Sequence, residues 1–198
     1  MKKLERKNSR ISVRPMTLED YNAWKDAHLT KRKSQNKWDN GPMELSDLTK
    51  ANYRKLINAQ KKRREEDVFY DLGVFNLKGD LVGNVSLMEV ARGVSQTAFL
   101  GYQIFNNHWR QGYGKEAVKF MIDIGFKDLK LHRIEAGIEP GNIRSIKLAK
   151  TLGMRKEGLK KRAIYLRGQW VDLIMYTLTS EDMKIKFDTS TMIHRRRT

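Results

Sequence analysis

Asn106-Asn107-His108-Trp109-Arg110-Gln111-Gly112-Tyr113-Gly114-Lys115-Glu116-Ala117 decides the reading of this chain. An apolar, strand-like run from Ala98 to Phe105 leads into it, and a helical pattern (Ala117, Val118, Met121, Ile122) leaves it. Two glycines one residue apart at a strand-to-helix junction let backbone N–H groups approach an anion closely. The first turn of the helix adds its unpaired donors and positive dipole end. The stretch is suited to gripping phosphate, although Gly-x-Gly alone does not say whose.

Outward from the loop, the chain is read by period. Ile11 and Val13 give a short strand stopped by Pro15. Thr17 to Asp20 reads as a helix start with its acidic pair in the first turn, followed by Tyr21, Trp24 and His28 at helical spacing. Lys31 to Met43, with Asn40-Gly41-Pro42, is a loop. Ser46 is read as the cap of a second helix through Tyr53, Leu56 and Ile57 to about Glu66. Val68 to Leu77, Leu81 to Val90 and Thr97 to Phe105 then form a meander, with a turn at Lys78-Gly79-Asp80. Beyond the glycine loop come a helix over Gly114 to Leu129, a strand over His132 to Ile138 and a helix over Asn142 to Leu152 closed by Gly153. Two strands, Met154 to Tyr165 and Trp170 to Leu178, end the pattern. A strand–helix–strand step inside antiparallel neighbours requires one parallel crossover, so the class is α+β with a mixed sheet.

Composition narrows the chemistry. A chain of 198 residues, 39% hydrophobic, can bury one sizeable core. With no cysteine there is no disulfide, thiolate metal site or cysteine nucleophile. His28, His108, His132 and His194 lack metal spacing, so no metal site is expected. No apolar run approaches the roughly 20 residues of a membrane span, which makes the cytoplasm the default location and excludes a membrane partner. The net charge of +17 implies attraction to RNA, a ribosome surface, acidic protein or a multi-phosphate cofactor, or else a solvated lysine-rich surface. The cations are spread over Lys2–Arg10, Lys31–Lys37, Lys61–Arg64, Lys160–Arg162 and Arg195–Arg197 rather than gathered on one helix. Residues 1–9 are expected to be a mobile basic tail, 10–180 one domain and 181–198 a basic C-terminal tail.

Three motifs in this order resemble the GNAT acetyltransferase superfamily, and its RimJ/RimL-type branch in particular. The first is Trp109-Arg110-Gln111-Gly112-Tyr113-Gly114-Lys115-Glu116-Ala117, similar to the superfamily's pyrophosphate loop. Trp109 stands where many relatives carry Gln or Arg, and an aromatic there is typical of the branch. The second, Asn142-Ile143-Arg144-Ser145 through Leu152-Gly153-Met154, has Met154 in place of the usual Phe. The third is Arg167 to Asp172 followed by Tyr176. The resemblance spans about residues 10–180. It implies a GNAT-like single domain, acetyl-CoA as donor, and transfer by direct attack of a primary amine.

The resemblance also implies roles for residues. Gln111, Gly112, Tyr113, Gly114 and Lys115 would hold the pyrophosphate as an anion nest. The strand before the loop should diverge from Ile134–Ile138, so that the pantetheine arm pairs with free backbone near Ile104 and Phe105. Asn142, which is equally a good helix cap, would bind pantetheine amides. Ser145 three residues on would reach the sulfur as proton donor or thiolate stabiliser, with Tyr165 or Tyr176 next in order. Glu135 or Glu157 would act as base, although a strand-edge carboxylate is as readily solvated or ion-paired. Arg144, Lys147 and Lys150 would meet the adenosine 3′-phosphate or form a solvated face. Asp172 would orient the last hairpin.

The acceptor expected by analogy is a protein N-terminal α-amine, as in a ribosomal-protein-alanine N-acetyltransferase. Its groove would be lined by the first two helices, their loop and the final hairpin. Two alternatives stand beside it: acetylation of a polyamine or aminoglycoside, with Asp39, Glu44, Asp47 and Glu89 as local acidity, and a non-catalytic RNA- or ribosome-binding relative. A homodimer is compatible with all three.

Overall fold

The structure is a computed structural model, and residues 4–189 are described. Its elements run β1 (Arg6–Lys7), β2 (Ile11–Arg14), α1 (Tyr21–Leu29), α2 (Lys50–Glu65), β3 (Tyr70–Asn76), β4 (Leu81–Ala91), β5 (Thr97–Ile104), α3 (Tyr113–Asp123), β6 (Arg133–Ile138), α4 (Ile143–Thr151), β7 (Arg155–Leu166) and β8 (Gln169–Thr179). Strands are ordered β1-β2-β3-β4-β5-β6-β8-β7, with β5–β6 parallel, which is the mixed α+β sheet expected. The chain forms two compact units. One holds the described residues up to Met88 with Gly101–Met121, and the other holds Glu89–Leu100 with the described residues from Ile122.

In the first unit β2 places Ile11 and Val13 fully inside and pairs Val13 with Val74 of β3. It ends before Pro15, which has no N–H to give a ladder. Trp24 and Ala27 of α1, Tyr53 and Ile57 of α2, and Phe75, Leu81 and Phe105 form one apolar cluster. Each fully buried side chain of this size stabilises the fold by about 1.5–3 kcal/mol. The Tyr53 hydroxyl donates to the Thr17 carbonyl at 2.7 Å, and Tyr21 donates to Leu48 at 2.9 Å, so the helix pair is tied by its polar tips.

Three expectations shift here. The cap of α2 is Thr49, whose hydroxyl accepts the Asn52 N–H at 3.1 Å; Ser46 lies in a 3-10 turn, Leu45–Asp47, ahead of it. Leu48 between them is 2% exposed, and burying it postpones the helix start. Val68 and Phe69 do not enter β3, because their N–H groups close the end of α2 on the Arg63 carbonyl. At the N-terminus, Arg6 and Lys7, placed by sequence in a tail, pair with Val13 and Ser12.

In the second unit β6 buries Ile134, Ala136 and Ile138 on one face and pairs antiparallel with β8 along its whole length. Its parallel register with β5 runs over Thr97↔Arg133, Ala98↔Ile134 and Phe99↔Glu135. The helix expected to continue to Leu129 becomes a π-helical turn over Ile124–Asp128, with the Leu129 N–H donating to the Ile124 carbonyl at 3.0 Å. The wider turn lets Ile124, Phe126 and Leu129 all face inward, each at most 2% exposed. Part of the stretch expected as C-terminal tail folds back: the Ile185 N–H donates to the Ser180 carbonyl at 2.8 Å, and Phe187 meets the His132 ring edge-on at 5.3 Å. Residues 1–3 and 190–198 of the expected tails lie outside the described residues.

Candidate active site

The glycine loop begins where β5 stops. Phe105 donates its N–H to the Val82 carbonyl of β4 at 2.9 Å, so strand alternation turns the backbone groups of Ile104 to the opposite edge. There the Ile104 carbonyl accepts the Trp109 indole N–H at 2.7 Å, which anchors the loop to the strand. Phe105 itself does not offer the free backbone expected of it. Its carbonyl accepts the His108 N–H at 2.8 Å, and its ring is buried against His28, with Lys31 Nζ 4.9 Å from its centroid.

Arg110 and Gly112 both take left-handed backbone, with φ +62 and +81. Gly112 then serves as the residue before α3: its carbonyl accepts the N–H groups of Lys115 at 3.1 Å and Glu116 at 3.5 Å. The N–H groups of Tyr113 and Gly114 therefore precede the first intrahelical bond, at the positive end of the dipole. A Cβ at residue 112 would meet Arg10 Nη1 at 3.5 Å, at ordinary contact distance, so the glycine is required by its φ rather than by crowding. Gln111 and Lys115 are exposed beside it.

Sequence reading missed the supports of this loop. Arg10 Nη1 pairs with Glu116 Oε1 at 2.7 Å, its Nη2 donates to the Gln111 carbonyl, and its guanidinium carbon lies 5.6 Å from the Tyr113 ring centroid. Asn8 Nδ2 donates to the other Glu116 oxygen at 2.8 Å. Two residues after the strand, Asn106 is 4% exposed; its Oδ1 accepts the Arg32 N–H and its Nδ2 donates to the Arg32 carbonyl, both at 2.7 Å, and to Asp39 Oδ2 at 2.9 Å. Asp39 Oδ2 also accepts the Gln35 N–H at 2.8 Å. The loop between α1 and α2 is thereby tied to the start of the glycine loop. Buried and held in this way, Asp39 does not supply the groove acidity considered for it. None of these contacts has a local sequence signal.

In the second unit, Asn142 caps α4: its Oδ1 accepts the Ser145 N–H at 3.2 Å. That engages the oxygen and leaves the amide –NH₂ as its donor. Ser145 is half-buried in the first turn, and among the described residues its hydroxyl has no hydrogen-bond partner. Lys147 and Lys150 are exposed on the same helix.

The two carboxylates expected to serve as base share one cation. Arg133 Nε donates to Glu135, its Nη2 donates to Glu157, and Nη2 also donates to the Thr177 hydroxyl at 3.0 Å. Hydrogen bonding from Arg133 holds the Glu157 carboxyl below the usual range. Engaged this way, Glu157 is a poorer proton acceptor, and both carboxylates are ion-paired to Arg133. Tyr165 is 61% exposed, with its ring 5.6 Å from that of Trp170. Asp172 accepts from Lys161 Nζ and the Arg162 N–H, both at 2.8 Å, and so fixes the β7–β8 hairpin. Among the described residues no cluster of His, Asp or Glu could hold a metal ion, and no helix is long and apolar enough to cross a membrane.

Residues 10–155 match the model of the acetyltransferase (GNAT) domain. The chain is 38% identical over 130 residues to the probable N-acetyltransferase YjcK of Bacillus subtilis, covering 65% of this chain and 72% of that protein. It is 32% identical over 120 residues to the ribosomal protein uS5-alanine N-acetyltransferase of Escherichia coli, covering 60% and 61%. The structure of Mycobacterium smegmatis RimJ in complex with CoA-disulfide superposes with a TM-score of 0.74 at 22% identity, over 87% of this chain and 83% of that one, which shows the shared fold. With its family model matched over residues 10–155, the chain belongs to the GNAT acetyltransferase family and is an N-acetyltransferase.

Proposed function

We propose that this enzyme moves an acetyl group from acetyl-CoA to the α-amine of a protein N-terminus. The carrying observation is the glycine loop. Its donor set suits a pyrophosphate: the Tyr113 and Gly114 N–H groups at a positive helix end, a left-handed Gly112, and a neighbouring guanidinium. Gln111, Gly112, Tyr113, Gly114 and Lys115 would hold the phosphates, and the Ile104 N–H the pantetheine. The Asn142 amide –NH₂ would meet a pantetheine carbonyl, and Lys147 and Lys150 the 3′-phosphate. When bound, the cofactor supplies an acetyl group already activated as a thioester. The Ser145 hydroxyl holds a transferable proton on Oγ, with Tyr165 and Tyr176 next in order. Tyr176 is 2% exposed. Neither Glu135 nor Glu157 is assigned as base.

The uS5-alanine enzyme among the relatives supports an N-terminal α-amine on a protein as acceptor. The net charge of +17 favours the same choice, since it repels polyamines and aminoglycosides while attracting acidic protein or ribosome surface. The test is acetyl-CoA turnover against a panel of N-terminal peptides, polyamines and aminoglycosides, with the peptides expected to be acetylated. Turnover on no member, together with tight, salt-sensitive RNA binding, overturns the assignment. In the same assay Ser145→Ala should lower turnover about 100-fold or more while CoA affinity holds, and an unchanged rate removes Ser145 from the chemistry.

A further inference from the structure

Glu116 poses a problem for a phosphate site. Its carboxylate lies in the first turn of α3, where unpaired N–H groups and the positive dipole end attract an anion. Left alone there, it would occupy donors needed by a ligand and repel the ligand's phosphates. The fold meets this from the other end of the sequence. Arg10 Nη1 holds Oε1 at 2.7 Å and Asn8 Nδ2 holds Oε2 at 2.8 Å, so both oxygens are turned to the N-terminal segment. Asn8 Oδ1 meanwhile accepts the N–H groups of Arg10 at 2.8 Å and Ile11 at 2.9 Å, which fixes the β1–β2 turn that carries both side chains. The second Arg10 amino group takes the Gln111 carbonyl, a backbone acceptor beside the loop's donors. Arg10 remains 51% exposed while making these contacts, so its charge is open to the solvent side of the loop.

Resting on the reading of this loop as the pyrophosphate site, we propose that Arg10 is a positioning residue for the cofactor phosphates, and that the β1–β2 turn is part of the donor site. Arg10 neutralises Glu116 and draws the Gln111 carbonyl aside, leaving the N–H groups of Tyr113 and Gly114 for the ligand. Asn8 holds Arg10 in place. The Glu116 carboxylate is a gate that only its pairing keeps open.

The experiment is calorimetric binding of CoA to the full chain, with thermal melts alongside. Arg10→Ala should weaken CoA binding at least tenfold, because it frees the Glu116 carboxylate toward the loop. Arg10→Ala combined with Glu116→Gln should recover most of that loss, since the charge to be neutralised has gone; Arg10→Lys should stay within a few-fold of the parent. S-acetyl-pantetheine, which lacks the pyrophosphate, should be used equally well by the parent and Arg10→Ala. Rescue by Glu116→Gln and the pantetheine comparison separate this role from a merely structural one, which neither would track. If Arg10→Ala does not fold, Glu116→Gln alone decides: affinity equal to or tighter than the parent supports the gate, and a tenfold loss overturns it. Equal CoA affinity in the parent and a folded Arg10→Ala, or no rescue by the second substitution, also overturns the proposal. A parent chain that binds no CoA overturns the loop assignment itself.

Discussion

His28 packs its ring between Trp24 and Phe105, with centroids 5.3 Å from each, and its Nδ1 is buried without a partner. Burial, helped by the nearby Lys31 charge, pushes its pKa from 6.5 to about 4. The folded state therefore refuses a proton that the unfolded chain accepts. This contribution to stability is complete above pH 6.5 and is lost as pH falls through the window from 6.5 to about 4. His28→Gln should flatten the melting temperature against pH across that window relative to the parent, and parallel curves would show that His28 is not the titrating group. The same scale shows what one residue type can announce. Gly112 was legible because left-handed φ is the conformation glycine tolerates best. Arg110, equally left-handed at +62, gave no sign, since arginine has no such preference. Arg10 reaches the Gln111 carbonyl from 101 residues away, and no local pattern carries that.

At the scale of elements, the start of α2 separates two candidates that a sequence window treats alike. Ser46 and Thr49 are both hydroxyl residues just ahead of the same apolar run, but only Thr49 caps. Thr49→Ala should lower the free energy of unfolding in urea by about 1 kcal/mol, and Ser46→Ala should leave it nearly unchanged. The reverse ranking would place the helix start three residues earlier. The π-helical turn after α3 has a similar cause: apolar period alone continues the helix to Leu129, while burying Ile124, Phe126 and Leu129 together calls for one wider turn. The strands were easier to read. Alternation in β2 and β6 repeats every two residues and is decided by one buried face.

For the whole molecule, the net charge of +17 sets a long-range repulsion that local ion pairs only interrupt. Arg133 gathers Glu135 and Glu157, and Arg155 reaches Glu157 at 3.5 Å and also pairs with Asp182, yet the cations still far outnumber the anions. Raising sodium chloride from low to physiological strength should raise the melting temperature, because screening weakens the repulsion more than it weakens short, partly buried pairs. A fall in melting temperature would mean that the ion pairs outweigh the repulsion.

The family, the order of elements from β2 to β8, the mixed sheet and the glycine loop were determined by the sequence itself. Each depends on period, turn chemistry or a motif contained within a few neighbouring residues. The brace of Asn8 and Arg10 on Glu116, the tie of Asn106 to Asp39, and the sharing of Glu135 and Glu157 by Arg133 were decided only by the tertiary structure. These contacts join side chains through strand register and chain crossing, over separations from 2 to 108 residues, and the short-range one is set by the same Arg133 that reaches Glu157 on another strand. A charge in the sequence has a sign and a place, but its partner is chosen when the sheet brings distant strands side by side.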